Sequence, residues 1–196
     1  KKAMESPAAV SEQVHKDTVY ITVVAEALTS VSLIYSIFHS FGSGLASDKF
    51  GILFQNRGAG FTLDEGHPNE AGGGNRPMHT IIPRLLRRDG EVIMPFGVMG
   101  GAYQPNGHAR FLTNLVDYEM TPQDAIDAPR CFSEASGMRV ESGYSDTVKQ
   151  ELRDLGHNVV TNSGPIGGAQ AIYIDRENGV LHGASDPRKD GCALGY

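Results

Sequence analysis

A single threonine stands where the chain changes character, in the stretch "HKDTVYITVV" at residues 15–24. A polar leader ends at Asp17, and the alternating β-branched sequence typical of a strand begins at Thr18. A threonine at this point is common, because β-branched residues favour strands. It can also be an N-terminal nucleophile, whose hydroxyl attacks a carbonyl while its own α-amine, with a pKa of about 7.7–8.0, takes the proton. Spacing alone leaves both interpretations open.

The nucleophile interpretation requires a free amine on Thr18. While Asp17 is attached, this nitrogen is an amide and cannot accept a proton. We therefore predict that residues 1–17 are a leader, or the end of an upstream subunit, and that the bond between Asp17 and Thr18 is the processing site. A β-hydroxyl beside a strained peptide bond can make this cut itself, by an N-to-O acyl shift followed by hydrolysis. Residues 18–196 would then be the catalytic domain.

A glycine pair, Gly100-Gly101, follows a predicted strand. Such pairs usually form turns, but they also let two backbone N–H groups face a substrate oxygen, as in an oxyanion hole. The seven histidines show no metal-ligand spacing and the two cysteines form no zinc pattern, so we expect neither a metal nor another cofactor. His79 precedes a predicted strand, where a pocket role and a structural role both remain open.

The order of the predicted elements favours an α+β domain. Strands are predicted at 19–24, 30–37, 80–86, 91–98, 157–161, 169–175 and 180–184. Helices are predicted between them, from 106 to 118, 121 to 128 and 145 to 155. This order indicates a mainly antiparallel sheet layer packed by helices. The apolar run 51–55 is predicted to be a short buried strand, and "SDPR" at 185–188 to be a turn.

Composition and charge exclude several classes of protein. The net charge is −6 and the 17 basic residues are scattered, so we do not expect a nucleic-acid partner. The apolar stretch from Val19 to Phe38 contains Glu26 and five serine or threonine residues, which argues against a membrane span. Two isolated cysteines fit a reducing compartment. We therefore expect a cytoplasmic protein, with the periplasm or secretion as alternatives because the start of the precursor is not seen.

The sequence resembles the small subunit of γ-glutamyltransferases, from about Thr18 to Tyr196. The motifs that carry the resemblance occur in the family's order: "TVYITVV", "FGSG", "GILFQN", "NRPMHTIIP", "GVMGG", "DAIDAPR", "GGAQAIYID" and "SDPRKDGCALGY". The resemblance implies an N-terminal-nucleophile fold, with two stacked antiparallel sheets between two helix layers. It also implies one precursor that cuts itself before a threonine.

The resemblance implies a role for each matching residue. Thr18 falls at the nucleophile and processing position, and Ser36 falls where the family often has a second threonine that hydrogen-bonds the nucleophile. Gly100 and Gly101 fall on the oxyanion pair. The family's larger N-terminal subunit precedes the threonine and supplies substrate contacts, so we expect this subunit as a heterodimer partner.

The positions that recognise a γ-glutamyl donor depart from the family pattern. The family uses an Asn two residues after the second Thr, a Gln and an Asp after the "GILLNN" strand, and a Ser-Ser pair in "RMLSSMTP". These places hold Phe38, Arg57, Gly60 and His79-Thr80 in this chain. The acid that would pair with the substrate amine is therefore absent. The combination resembles a divergent branch described as γ-glutamyltransferase-like or cephalosporin acylase-like.

We therefore predict an N-terminal threonine amidohydrolase or acyltransferase that hydrolyses small amide-linked acyl substrates of glutaryl or γ-glutamyl type. Phe38, Arg57, His79 and Thr80 are the predicted substrate contacts. Two alternatives remain open. One is a true γ-glutamyltransferase acting on glutathione, and the other is an unprocessed, non-catalytic relative that keeps its leader.

Overall fold

The computed structural model describes residues 18–161 and 164–196. The leader 1–17, including Asp17, lies outside the described residues. The strands are β1 Thr18–Val24, β2 Ser30–Ser36, β3 Arg84–Arg88, β4 Glu91–Met99, β5 Cys131–Glu134, β6 Gly137–Val140, β7 Val159–Thr161, β8 Gly168–Asp175 and β9 Val180–Ser185. The α-helices are α1 Gln104–Val116, α2 Pro122–Asp127 and α3 Asp146–Asp154.

A four-stranded antiparallel sheet with the order β3-β4-β8-β9 is the centre of the fold. Asp89 and Gly90 turn the chain between β3 and β4, with φ of 51° and 84°, the positive values that a two-residue hairpin turn of type I′ requires. Strand β3 begins at Arg84 and is thus shorter than predicted. The buried side chains of β4 contribute Met94, Phe96 and Val98 to the core.

The helices and the β1–β2 hairpin cover opposite faces of this sheet. Phe96 points to one face, where its ring lies 5.3 Å from that of Phe111 on α1. The next residue, Gly97, points to the other face, because side chains alternate along a strand. A Cβ atom on Gly97 would lie 2.3 Å from the ring of Tyr20, so glycine allows β1 to approach β4 closely.

The β1–β2 hairpin presents its polar face to the sheet and its apolar face outward. Tyr20 is 4% exposed, and its hydroxyl lies 2.7 Å from that of Ser32. On the opposite face, cross-strand apolar pairs are between 43% and 68% exposed: Val19 with Tyr35, Ile21 with Leu33, and Val23 with Val31. The inner face of this hairpin packs on the central sheet, and its apolar outer face is also suited to burial.

Helices α2 and α3 lie within the ranges predicted for them, 121–128 and 145–155. Thr121 caps α2 by accepting a hydrogen bond from the backbone of Asp124, and Ser145 caps α3 in the same way. Helix α1 begins at Gln104, two residues earlier than expected. No helix among residues 18–161 and 164–196 has the length and apolar character to cross a membrane.

Two other features differ from the expectations. Strands β5, β6 and β7 form a second sheet in which β6 and β7 are parallel, joined through α3. Strand β7 corresponds to the predicted strand 157–161, whereas β5 and β6 lie outside the predicted strands, because strands of four residues carry too little alternation to be recognised. The run 51–55 is not a buried strand: it is exposed, and its only ladder contact among the described residues is a bridge between Leu53 and Ala46. Within the described chain, this apolar run has no sheet to cover it.

Candidate active site

The hairpin register brings together the two hydroxyl residues that the family resemblance singles out. Thr18, the first residue of β1, lies opposite Ser36, the last residue of β2. The Thr18 hydroxyl donates a hydrogen bond to Ser36 Oγ over 3.2 Å. Both side chains are half-buried on the face that turns toward the central sheet. A nucleophile at the start of a strand would thus be oriented by a hydroxyl on the neighbouring strand.

The backbone after Ser36 folds back onto the same hydroxyl. Phe38 adopts a left-handed conformation, with φ of 79°, which is costly for a bulky residue and is concentrated at functional sites. Its backbone N–H donates to Ser36 Oγ over 3.2 Å. The Ser36 oxygen therefore accepts two hydrogen bonds, one from Thr18 and one from Phe38, which leaves the Ser36 proton free to be donated elsewhere.

Arg57 lies beside this pair of hydroxyls. Its Nη2 atom is 3.4 Å from the Ser36 carbonyl oxygen, and its guanidinium lies 5.6 Å from the centre of the Phe38 ring. Burial lowers the pKa of the Arg57 guanidinium, but an arginine remains protonated at neutral pH. The structure thus places a permanent positive charge and an aromatic ring next to Ser36, the residue that is hydrogen-bonded to the candidate nucleophile.

Two further residues, His39 and Asn56, hold this loop in place. The His39 ring stacks on Phe38 with 4.7 Å between ring centres. Asn56 accepts a hydrogen bond from the His39 backbone N–H at 3.1 Å, and its Nδ2 lies 2.7 Å from His39 Nδ1. Asn56 ends the motif "GILFQN", but only the folded loop brings it beside His39, so the sequence did not indicate the contact between them. Gly60 belongs to the same group, since a Cβ atom there would lie 3.9 Å from the Phe38 ring.

The structure ties Thr80 to the core but leaves His79 exposed. The side-chain amide of Gln104 can be oriented so that both its oxygen and its nitrogen have suitable partners. In this orientation, the nitrogen donates to the carbonyl oxygens of Thr80 and Val98, at 2.8 and 3.0 Å. His79 is solvent-exposed. No hydrogen bond within the described part of the chain joins either residue to Thr18. Their roles as substrate contacts therefore stay predictions.

Gly100 and Gly101 form a turn immediately after β4. Their φ angles are 127° and 60°, in the region that favours glycine. A Cβ atom on Gly100 would lie 2.6 Å from the Cα of Gly167, so the two backbones are in direct contact. A larger residue at Gly100 would thus disturb folding as well as any oxyanion role. Strand β4 leads into this turn and also packs against Tyr20 of β1 at Gly97. The strand therefore links the position of the turn to that of the hairpin.

The histidine and acid positions that the structure describes give no group of metal ligands. Among residues 18–161 and 164–196, no three His, Cys, Asp or Glu side chains are close enough to hold a metal ion. His108 is buried, with Nδ1 2.7 Å from the Gln104 carbonyl oxygen. Burial lowers its pKa, which favours the neutral form of a structural histidine.

The segment "SDPR" contains more than the predicted turn. Asp186 is 1% exposed and forms ion pairs with Arg130 at 2.5 Å and Arg188 at 3.3 Å. The interpretation as turn chemistry was incomplete, because it used only local sequence and the partner Arg130 lies 56 positions earlier. The burial of this carboxylate is a feature that the local sequence pattern did not reveal.

The fold is that of the N-terminal-nucleophile hydrolases: α-helices cover one face of an antiparallel sheet, and a hairpin that begins with threonine covers the other. A family model described as Gamma-glutamyltranspeptidase matches residues 1–196. The chain therefore belongs to the gamma-glutamyltranspeptidase family, a family of hydrolases and acyltransferases. Both the family resemblance and the α+β fold class expected from the sequence are confirmed.

Several relatives define the branch of this family. The chain is 39% identical to the glutathione hydrolase-like YwrD proenzyme of Bacillus subtilis, over 95% of this chain and 37% of the relative. It is 36% identical to the oxamate amidohydrolase proenzyme of Klebsiella pneumoniae, over 92% of this chain and 36% of the relative. Among solved structures, it matches cephalosporin acylase from Bacillus halodurans with a TM-score of 0.77 and 38% identity, over 85% of this chain and 32% of that one. The chain thus spans about a third of the length of these relatives.

Proposed function

We propose that the chain is the small-subunit part of an N-terminal threonine amidohydrolase, with Thr18 as nucleophile and the Thr18 α-amine as base. The observation that carries this proposal is the hydrogen bond of 3.2 Å between the hydroxyls of Thr18 and Ser36. It occurs at the first residue of β1, in a chain whose relatives are named hydrolases, amidohydrolases and acylases.

In the proposed reaction, the α-amine takes the Thr18 hydroxyl proton while Oγ1 attacks the amide carbonyl carbon. The oxygen of the tetrahedral intermediate gains negative charge, which the backbone N–H groups of Gly100 and Gly101 would stabilise. The ammonium then returns its proton to the leaving nitrogen, and an acyl ester remains on Thr18. Water, activated by the same amine, hydrolyses this ester and restores the hydroxyl.

The same hydroxyl is proposed to release the subunit. While the Asp17–Thr18 bond is intact, Thr18 Oγ1 attacks the Asp17 carbonyl carbon, and the nitrogen leaves as the new α-amine. Water then hydrolyses the resulting ester. Asp17 lies outside the described residues, so the support comes from the position of Thr18 at the head of β1 and from relatives that are named proenzymes.

The proposed substrate is an amide whose acyl part carries a carboxylate and no α-amine. Arg57 offers a permanent positive charge beside Ser36, and Phe38 offers apolar surface. Gly60 provides no acid for a substrate ammonium. Oxamate, for which one relative is named, is a carboxylate-bearing amide without an amino group. A γ-glutamyltransferase acting on glutathione remains the second candidate, because another relative is named glutathione hydrolase-like.

The proposed partner is the upstream subunit of the same precursor, and residues 18–196 are proposed to be one domain that it completes. The outward face of the β1–β2 hairpin consists of exposed apolar pairs such as Ile21 with Leu33. More exposed apolar side chains follow on the loop after β2: Phe41, Leu45, Phe50, Ile52 and Phe54. An apolar surface of this kind marks an interface, and the relatives have about two thirds of their length outside the matched region.

Leu33→Lys in the full-length protein should weaken assembly with the upstream subunit, because a lysine ammonium would replace buried apolar contact at the interface. Val180→Lys is the matched control: Val180 on β9 is 45% exposed and Leu33 is 48% exposed. The measurement is the fraction of heterodimer by size-exclusion chromatography, with dye binding by the isolated fragment 18–196. A fragment that is monodisperse, unfolds cooperatively and binds no dye would contradict the proposed partner.

Intact mass measurement of the purified full-length protein tests the proposed function. We expect two chains, one of which begins at Thr18. The same sample should hydrolyse the mono-anilide of a short dicarboxylic acid. The free α-amine that the mechanism needs exists only after this cut. A single uncut chain without hydrolase activity would instead support the non-catalytic alternative.

A further inference from the structure

Three buried charged residues and one partly buried arginine form one connected group, which we name the ionic cluster: Arg130, Glu141, Asp186 and Arg188. Arg188 contacts both oxygens of Glu141, through Nε at 2.9 Å and Nη2 at 2.8 Å, and Arg130 pairs with Asp186 at 2.5 Å. Burial alone would raise the pKa of Glu141, but the hydrogen bonds from Arg188 and from two backbone N–H groups outweigh it and hold the pKa below its ordinary value. The cluster thus contains two cations and two anions.

The ionic cluster binds the backbone at two places: the carbonyl oxygens of residues 126–128, through its two arginines, and the short segment 166–169. Glu141 Oε1 accepts the N–H of Ile166 at 3.0 Å, and Arg130 Nη1 donates to the Ile166 carbonyl oxygen at 2.8 Å. Asp186 Oδ2 accepts the N–H of Ala169 at 2.8 Å. Both polar backbone groups of Ile166, which is 2% exposed, are therefore held by charged side chains. The position of this segment depends on the charges of the cluster.

The same segment contacts the glycine turn. A Cβ atom on Gly167 would lie 2.6 Å from the Met99 carbonyl oxygen and 2.6 Å from the Tyr103 ring, and a Cβ atom on Gly100 would lie 2.6 Å from Gly167 itself. Arg130 also reaches the far end of the turn, since its guanidinium lies 5.9 Å from the centre of the Tyr103 ring. The turn after β4 is therefore packed against backbone and side-chain groups that the cluster holds.

We propose that the ionic cluster positions the Gly100-Gly101 turn for oxyanion stabilisation, with Glu141 as its principal positioning residue. This inference rests on the proposed function, because it assumes that the turn faces the reacting carbonyl. Backbone donors stabilise a developing oxyanion only when they are held in place beforehand. A displacement of about 1 Å by a change far from the reacting atoms can cost about a hundredfold in rate. A cluster that only stabilised the fold would have no such effect on turnover.

The test compares Glu141→Gln with a matched control, Glu134→Gln, in the full-length protein. The two glutamates lie at opposite ends of the β5–β6 hairpin, pair with an arginine, and have side-chain exposures of 11% and 12%. In the described part of the chain, Glu134 pairs with Arg139 at 2.6 Å and not with the segment 166–169. The measurements are the Tm, kcat and KM, with concentrations normalised by mass measurement to chains that begin at Thr18.

We expect Glu141→Gln to lower kcat about tenfold to a hundredfold with KM within about twofold, because oxyanion donors act on the transition state and not on the bound substrate. The rate of self-cleavage of the precursor should fall by a similar factor. Glu134→Gln should keep the wild-type kcat even if its Tm falls by as much as the Tm of Glu141→Gln. Wild-type kcat in Glu141→Gln, or an equal loss of kcat in both variants at equal Tm, would overturn the inference.

A second variant covers the case in which Glu141→Gln does not fold. Arg188→Lys keeps a cation but loses the two-point contact with Glu141, and the same loss of kcat without a change in KM is expected. Thr18→Ala is measured in parallel to separate the two levels of the proposal. Hydrolysis that persists in Thr18→Ala overturns the proposed function itself. If hydrolysis is lost in Thr18→Ala but the cluster variants keep the wild-type kcat, only the positioning role is overturned.

Discussion

Replacement of Thr18 by alanine should leave the full-length protein as a single uncut chain without amide hydrolase activity. Alanine has no hydroxyl to attack the preceding carbonyl, and it would have no nucleophile for substrate. We expect turnover to fall by a factor on the order of 10⁴–10⁶, as when the nucleophile is removed from other acyl-transfer enzymes. Thr18→Ser keeps the hydroxyl and should keep both processing and part of the activity.

Thr22→Ala is the matched control for this experiment. Thr22 lies four residues further along β1, on the same inward face, and its hydroxyl donates to the Val31 carbonyl oxygen at 3.1 Å. Loss of that bond should change stability slightly and leave processing intact. Normal maturation of the Thr18→Ala chain without added protease would show that another group makes the cut.

The processed enzyme should prefer a glutaryl anilide to a γ-glutamyl anilide by about tenfold to a hundredfold in kcat/KM. A substrate ammonium that is buried at the site without an anionic partner costs about 1–3 kcal/mol. The family resemblance places Gly60 where the family has its acid, and we expect the charge of Arg57 to repel a cation and attract a carboxylate. The two substrates differ only in the amine, so their kcat/KM ratio measures this effect directly.

Gly60→Asp should reverse the preference toward the γ-glutamyl anilide. A Cβ atom on Gly60 would have only ordinary contacts, at 3.5 Å from Pro77 and 3.6 Å from the Met78 carbonyl oxygen, so the aspartate can be accommodated. Gly58→Asp, where a Cβ atom meets nothing within 4 Å, adds the same charge two residues away and should leave the ratio unchanged. A wild-type preference for the γ-glutamyl anilide would instead favour an ordinary γ-glutamyltransferase.

Local chemistry by itself determined the elements around the site. A β-branched run starting at Thr18 predicts β1, the Asp89-Gly90 pair predicts the β3–β4 turn, and Thr121 and Ser145 predict the starts of two helices. Each of these signals acts between residues that are neighbours in the chain, because strand alternation, turn conformation and helix capping are local effects. The family motifs added the pairing of Thr18 with Ser36, which spacing alone did not indicate.

Only the tertiary structure decided how distant segments meet at the site. The left-handed turn at Phe38 and the approach of Arg57 to Ser36 depend on how the loop after β2 folds back. The contact between Gly100 and Gly167 depends on the packing of two separate turns. The exposed run 51–55 and the buried Asp186 reverse what their local sequences suggest, because burial is set by partners far along the chain and not by the residues next to them.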